Sequence, residues 1–135
     1  MVLFVLATNS VHTSEELSDY LRERLAPGDE VHAINAHPGG DETTAEDARE
    51  GENALKTVET ELDSVDGVTV ETHQFIRGNR PAEEVLAYGD DVDADEFVIG
   101  IRKRSPTGKA LFGSIAQDIL LGSNLPLRVV PREEV

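Results

Sequence analysis

Cysteine and tryptophan are missing from this 135-residue chain, aromatic residues make up 4% of it, and lysine occurs only at positions 56, 103 and 109. Without cysteine there is no disulfide, no thiolate metal site and no cysteine nucleophile. Long hydrophobic runs are missing too, since none approaches the roughly 20 residues that a membrane-spanning helix needs. The opening Met1-Val2-Leu3-Phe4-Val5-Leu6-Ala7 has no basic flank and is short for a secretory signal, so it reads as a first strand. These absences predict a cytoplasmic protein, and the length predicts one domain with one core over residues 1–135.

Positive charge is scarce: 27 acidic residues face 12 basic ones, a formal net charge of -15. Such a field repels nucleic acids and anionic membranes, which are bound largely by neutralising their phosphates, so neither is expected as a partner. An acid-covered, lysine-poor chain of otherwise ordinary composition suits a cytosol rich in salt, where the Debye length shrinks to about 3 Å at 1 M and self-repulsion is tolerable.

Five apolar runs alternate with four helix-like stretches, the pattern of a doubly wound α/β domain with a parallel sheet covered on both faces. Strands are predicted over Val2 to Ala7, Glu30 to Ala36, Val68 to Ile76, Glu96 to Gly100 and Leu127 to Val130. The first helix is predicted from Ser14 to Leu25, opened by Thr13-Ser14-Glu15-Glu16 as a capping box, with Leu17, Tyr20, Leu21 and Leu25 facing the sheet. The second, from Thr44 to Val65, repeats Ala48, Gly51, Leu55, Val58 and Leu62 at helical spacing, and the loop His37-Pro38-Gly39-Gly40-Asp41 precedes it. The third starts at Pro81 and ends near Gly89-Asp90; the fourth covers Ile115 to Leu121. Prolines 126 and 131 bracket the last strand, which predicts an edge position, and its Leu127, Val129 and Val130 call for cover by another chain.

The segment from Gly100 to Ser114, Gly-Ile-Arg-Lys-Arg-Ser-Pro-Thr-Gly-Lys-Ala-Leu-Phe-Gly-Ser, is the one stretch where base outweighs acid. It reads as a glycine-bearing loop from strand to helix. A helix N-terminus offers unpaired backbone N–H groups and a positive dipole end, and glycine lets a bound anion come close, so phosphate is the expected guest. Gly113 and Ser114 are the leading contacts, unless the glycine only shapes the turn and the serine only caps the helix. The other familiar chemistries find no footing. There is no Gly-x-Ser-x-Gly elbow, Gly108-Lys109 is followed by Ala110 and not by the hydroxyl of a Walker loop, and His12, His32, His37 and His73 lack zinc spacing, so they read as polar or half-buried residues and no metal site is expected.

Gly100, two residues, Lys103, nine residues and Gly113-Ser114 together resemble the nucleotide loop of the universal stress proteins, Gly-x2-Gly-x9-Gly-[Ser/Thr], with Lys103 where ATP-binding members have the second glycine. Asp93-Ala94-Asp95-Glu96-Phe97-Val98-Ile99-Gly100 is similar to the family's entry to that loop, and Arg77-Gly78-Asn79-Arg80-Pro81 resembles its turn into the third helix with one extra residue. After the first strand, Asn9 and Ser10 stand where the family commonly has aspartate and glycine. Nearly the whole chain shares the likeness, that of a single-domain member and, with this charge, of haloarchaeal type.

The resemblance implies a five-stranded parallel sheet of the adenine-nucleotide alpha-hydrolase-like fold and a homodimer made by pairing the last strands, Leu127 to Val130. It also implies an adenine nucleotide, ATP or AMP, with Mg as its companion, across the carboxyl edge. By that carry-over Ala7, Asn9, Ala36 and Ile99 surround the nucleoside, while Gly100, Lys103, Gly113, Ser114 and Ile115 meet ribose and phosphates. It implies a stress-response role through partners of unknown identity and no settled reaction, at most weak ATP hydrolysis. At Lys103 two effects compete, since a side chain narrows the space that glycine leaves while its ammonium adds charge beside a phosphate. A nucleotide-free dimeric interaction module of the same fold is the alternative.

Overall fold

The computed structural model describes residues 1–104, 109–111 and 113–133, with side chains for all of these except 103, 104, 109–111, 132 and 133. Six strands form one sheet: β1 (Leu3–Ala7), β2 (Glu30–His37), β3 (Thr69–Ile76), β4 (Glu96–Arg104), β5 (Lys109–Leu111) and β6 (Leu127–Glu133). Four helices intervene: α1 (Val11–Arg22), α2 (Ala45–Leu62), α3 (Pro81–Asp91) and α4 (Ser114–Gly122). The parallel order is β3-β2-β1-β4-β6, with β1 at the centre and β6 at an edge, where it pairs with β4 from Phe97↔Leu127 to Lys103↔Glu133. Pro131 is tolerated in β6 because an edge strand can spare one donor.

Strand alternation sends consecutive side chains to opposite faces, and two apolar clusters result. On one face Phe4, Leu6, Val31 and Val98 meet Leu17 and Leu21 of α1 and Leu55, Val58 and Leu62 of α2. On the other, Val5, Ile34, Phe97 and Ile99 meet Ala82 and Val85 of α3 and Ile119 of α4. Each side chain of this size contributes about 1.5–3 kcal/mol on full burial. α3 approaches the sheet closely enough that a Cβ at Gly89 would lie 2.5 Å from Phe97 Cζ. The glycine is there for this close packing inside the helix, which runs on to Asp91, and not as its terminator.

Several boundaries differ from the sequence expectation for identifiable reasons. α1 begins three residues early: Ser10, not Thr13, is the N-cap, and its hydroxyl accepts from the Thr13 N–H at 3.1 Å. Thr13 and Ser14 are buried, their hydroxyls bonded to Ser10 and Ala54. α1 ends at Arg22 and α2 at Leu62, each three residues short of the periodic pattern, and Ala54 joins the buried stripe of α2 while Ala48 is only half-buried. Residues 101–104 and 109–111 are strand and not loop. β4 continues to Arg104, and β5 folds back antiparallel on it in the register Arg102↔Leu111, Lys103↔Ala110 and Arg104↔Lys109. His32 is 5% exposed, more deeply set than a half-buried residue, with Nδ1 2.7 Å from the Tyr88 hydroxyl.

Candidate functional site

The carboxyl ends of β1, β2 and β4 leave an open cavity of about 410 Å³, walled by the starts of α1, α3 and α4. This is the edge of a doubly wound sheet at which strand order reverses, and crevices form there because neighbouring crossovers leave on opposite faces. Eight of the nine sequence-selected residues line it: Ala7, Asn9, Ala36, Ile99, Gly100, Gly113, Ser114 and Ile115. The ninth, Lys103, has its backbone in β4 between β5 and β6, and its side chain lies outside the described residues.

Apolar lining comes from Ala7, Ile34, Ala36, Val85, Ile99 and Ile119, and polar lining from Thr8, Asn9, Thr13, Arg102 and Ser114. Among the described residues that line the cavity there is no carboxylate, although the chain has 27. The cavity therefore contrasts with the rest of the surface in charge as well as in shape.

α4 supplies the sharpest polar feature. Its N-cap is Gly113, with no side-chain cap, and its first turn holds no acidic residue. Ser114 is thus the first helical residue and not the cap. Gln117 N–H donates to the Gly113 carbonyl at 2.9 Å, a bond that uses none of the first three N–H groups of the helix, at Ser114, Ile115 and Ala116, and all three residues line the cavity. Among the described residues a Cβ built on Gly113 meets nothing within 4 Å, and its φ of -66° is open to any residue. α1 also opens at the cavity without an acidic residue in its first turn.

The start of α2 is closed by the chain itself. α2 carries a reciprocal capping box in which Thr44 accepts from Asp47 N–H at 3.0 Å and Asp47 accepts from Thr44 N–H at 2.9 Å. The bond from the Thr44 N–H holds the Asp47 carboxyl below its ordinary range. At α3, Glu84 is 5% exposed and takes Arg77 Nε at 2.7 Å and Nη2 at 3.1 Å, with Asn79 Nδ2 at 3.3 Å. The Arg77 hydrogen bonds hold the Glu84 carboxyl below its ordinary range, against the opposing effect of burial.

Sequence reasoning missed Thr8, Thr13 and Arg102 as lining residues. Arg102 was in view as part of a basic run; Thr8 and Thr13 gave only a weak signal, being hydroxyls between a strand and a helix. No group of three or more His, Asp or Glu among the described residues is arranged to hold a metal.

Residues 5–131 match the model of the universal stress protein family. The chain is 42% identical over 97 residues, 72% of each sequence, to a universal stress protein of Mycolicibacterium smegmatis. It resembles the solved universal stress protein from Archaeoglobus fulgidus at 33% identity with a TM-score of 0.74, covering 96% of this chain and 98% of that one. A structure of the universal stress protein from the same organism in complex with dAMP matches at 27% identity with a TM-score of 0.66 and the same coverage.

Proposed function

This chain belongs to the universal stress protein family, and on that premise we propose that it binds an adenine nucleotide, ATP or AMP, in the carboxyl-edge cavity and acts by binding, without turnover. The observation that carries the proposal is the carboxylate-free lining of that cavity at the bare start of α4, on a chain of net charge -15. An anion placed there gains backbone donors and the positive end of the helix dipole, each interaction of this kind being worth about 0.3–1 kcal/mol or more when partly buried. Apolar walls suit a base. The dAMP complex of the Archaeoglobus fulgidus relative supports the same ligand class.

Ala7, Asn9, Ala36 and Ile99 are assigned to the nucleoside, and Gly100, Gly113, Ser114 and Ile115 to ribose and phosphates, with Lys103 as a phosphate contact. Among the described residues the lining offers Mg hydroxyls and no carboxylate. A companion Mg would be held by the nucleotide's own phosphates and by water. Protein denatured after purification should release an adenine nucleotide into the supernatant, read by mass spectrometry. A clean supernatant together with no binding on titration would overturn the assignment.

One observation favours the second reading, a nucleotide-free interaction module. Lys103 sits in a strand paired on both sides, with Ala110 and with Glu133, where ATP-binding members have glycine.

The proposal includes a homodimer in the cytoplasm made through β6, because two-fold pairing of identical edges covers both copies at once. Light scattering should report twice the 14.7 kDa chain mass, and a monomer at high salt and micromolar concentration would exclude it. It also includes salt adaptation of haloarchaeal type, supported by the charge. Unfolding temperature should rise from dilute buffer to molar salt alike in KCl and NaCl, and a flat curve would remove this part.

A further inference from the structure

Two hydrogen-bond chains, one part-buried where it leaves Gln74 and one buried throughout, lead from α2 to the same residue of the cavity wall. In one, Gln74 Nε2 donates to the Ala48 carbonyl of α2 at 2.8 Å and to Asn35 Oδ1 at 3.0 Å, and Asn35 Nδ2 donates to the Thr8 carbonyl at 2.9 Å. In the other, Ser14 Oγ donates to the Ala54 carbonyl of α2 at 2.7 Å and lies 2.7 Å from Thr8 Oγ1. A hydroxyl carries one proton, so with that of Ser14 directed at Ala54, Thr8 Oγ1 is the donor in the last bond, at 2.7 Å closer than its other acceptor, the Ser10 carbonyl at 3.2 Å. Thr8 is thereby fixed at both its carbonyl and its side chain.

These groups are deep: Asn35 and Ser14 are fully buried and Thr8 is 6% exposed. A buried amide or hydroxyl costs about 1–3 kcal/mol if left unpaired, so each chain holds its shape as long as the fold persists. Gly51 belongs to the same arrangement. Alanine inside a helix is favoured over glycine by about 1 kcal/mol, yet a Cβ here would overlap Asn35 Oδ1 and lie 2.8 Å from Gln74 Nε2. The glycine of α2 is the space in which the two amides meet.

We infer that Thr8 is a positioning residue of the nucleotide site, held from α2 through Asn35–Gln74 and through Ser14, so that the cavity's affinity is set in part from the opposite face of the sheet. The inference rests on the nucleotide-binding reading above. Gln74 and Asn35 do not line the cavity, whereas Thr8, whose N–H bonds the Ile34 carbonyl at 3.0 Å, does. By linkage the effect is reciprocal: a ligand that needs Thr8 in this position also tightens the grip on α2.

The test uses the full chain with Gln74→Met, which keeps the side-chain length and removes both donated bonds. Val31→Ala, a core truncation at the amino end of the sheet, controls for general destabilisation. AMP is titrated by calorimetry, and backbone hydrogen exchange is followed at Thr8 and along β6. Gln74→Met should weaken AMP by about fivefold to tenfold, the worth of roughly one hydrogen bond, and speed exchange at Thr8 with β6 unchanged. Val31→Ala should leave AMP affinity in place. Unchanged Thr8 exchange in Gln74→Met, or an equal loss of affinity in Val31→Ala, overturns the inference. Absence of AMP binding by the unaltered protein instead removes the nucleotide reading, and Thr8 exchange still decides whether the two chains position this wall. Gly51→Ala provides a second route to the same disruption and should show the same Thr8 signature.

Discussion

α2 and α4 begin in opposite ways. α2 opens behind Thr44 with a capping box, and Glu46 and Asp47 stand in its first turn. α4 opens behind a glycine with no side-chain bond and no acid in its first turn. Both starts carry the same unpaired donors and the same positive dipole end, and the difference is who satisfies them. In α2 the chain does so itself, at the surface. In α4 the donors face a cavity whose described lining has no carboxylate, in a chain where acid outnumbers base by more than two to one.

The largest effect is expected where the open start is filled. Gly113→Val puts a branched side chain where an anion must approach, so adenine-nucleotide binding should fall beyond detection, a loss of at least the ~1.5–3 kcal/mol of a hydrogen bond to a charged group. Since a Cβ there meets no described residue within 4 Å, unfolding temperature and oligomeric mass should stay as in the parent. Retained binding would mean that the bare start of α4 is not the anion site.

An ion pair that the chain satisfies internally should behave the other way, costing stability and leaving binding alone. Arg77→Ala strands the buried Glu84 carboxylate at the start of α3 and should lower stability in urea unfolding. The sign of the pH dependence follows from the lowered Glu84 pKa. Its contribution is present above the carboxyl's unfolded value near 4.5 and is lost as pH falls through the lower folded value. The gap between parent and Arg77→Ala should therefore narrow in acid, and a gap constant down to pH 2 would contradict the pairing.

Lys103→Gly sharpens the comparison at its middle scale. If Lys103 contacts phosphate, ATP should weaken by about 1 kcal/mol more than adenosine. Tighter ATP binding after the change would identify Lys103 as an obstruction and shift the balance to the interaction module. Thr44→Ala removes the α2 cap and should cost about 1 kcal/mol of stability, with nucleotide affinity unmoved. A change in affinity here would show that the two helix starts are not independent.

Much of the fold was legible because its signals are local. The runs at Leu3–Ala7, Glu30–His37 and Glu96–Gly100, and the stripe Gly51, Leu55, Val58 and Leu62, declare strands and a helix from their own spacing. Gly113 and Ser114 were legible because a glycine before an apolar helix is a local pattern as well. The start of α1 misled because Thr13 and Ser14 resemble a cap while their hydroxyls are engaged inside the fold. The ribbon of β4 and β5 was hidden by Ser105-Pro106-Thr107-Gly108, whose composition signals a loop. Asn35, Gln74 and Thr8 were not legible at all, since their bonds join residues 27 to 39 apart and leave no period in the sequence.

The central claim is that the carboxylate-free cavity at the start of α4 takes the phosphate end of an adenine nucleotide. Calorimetric titration of ATP, AMP and adenosine into the unaltered protein, at one fixed salt concentration, tests it most directly. The account predicts that both phosphorylated ligands bind and that each binds more tightly than adenosine. Equal affinity for adenosine and AMP, or no heat from any of the three, would contradict it.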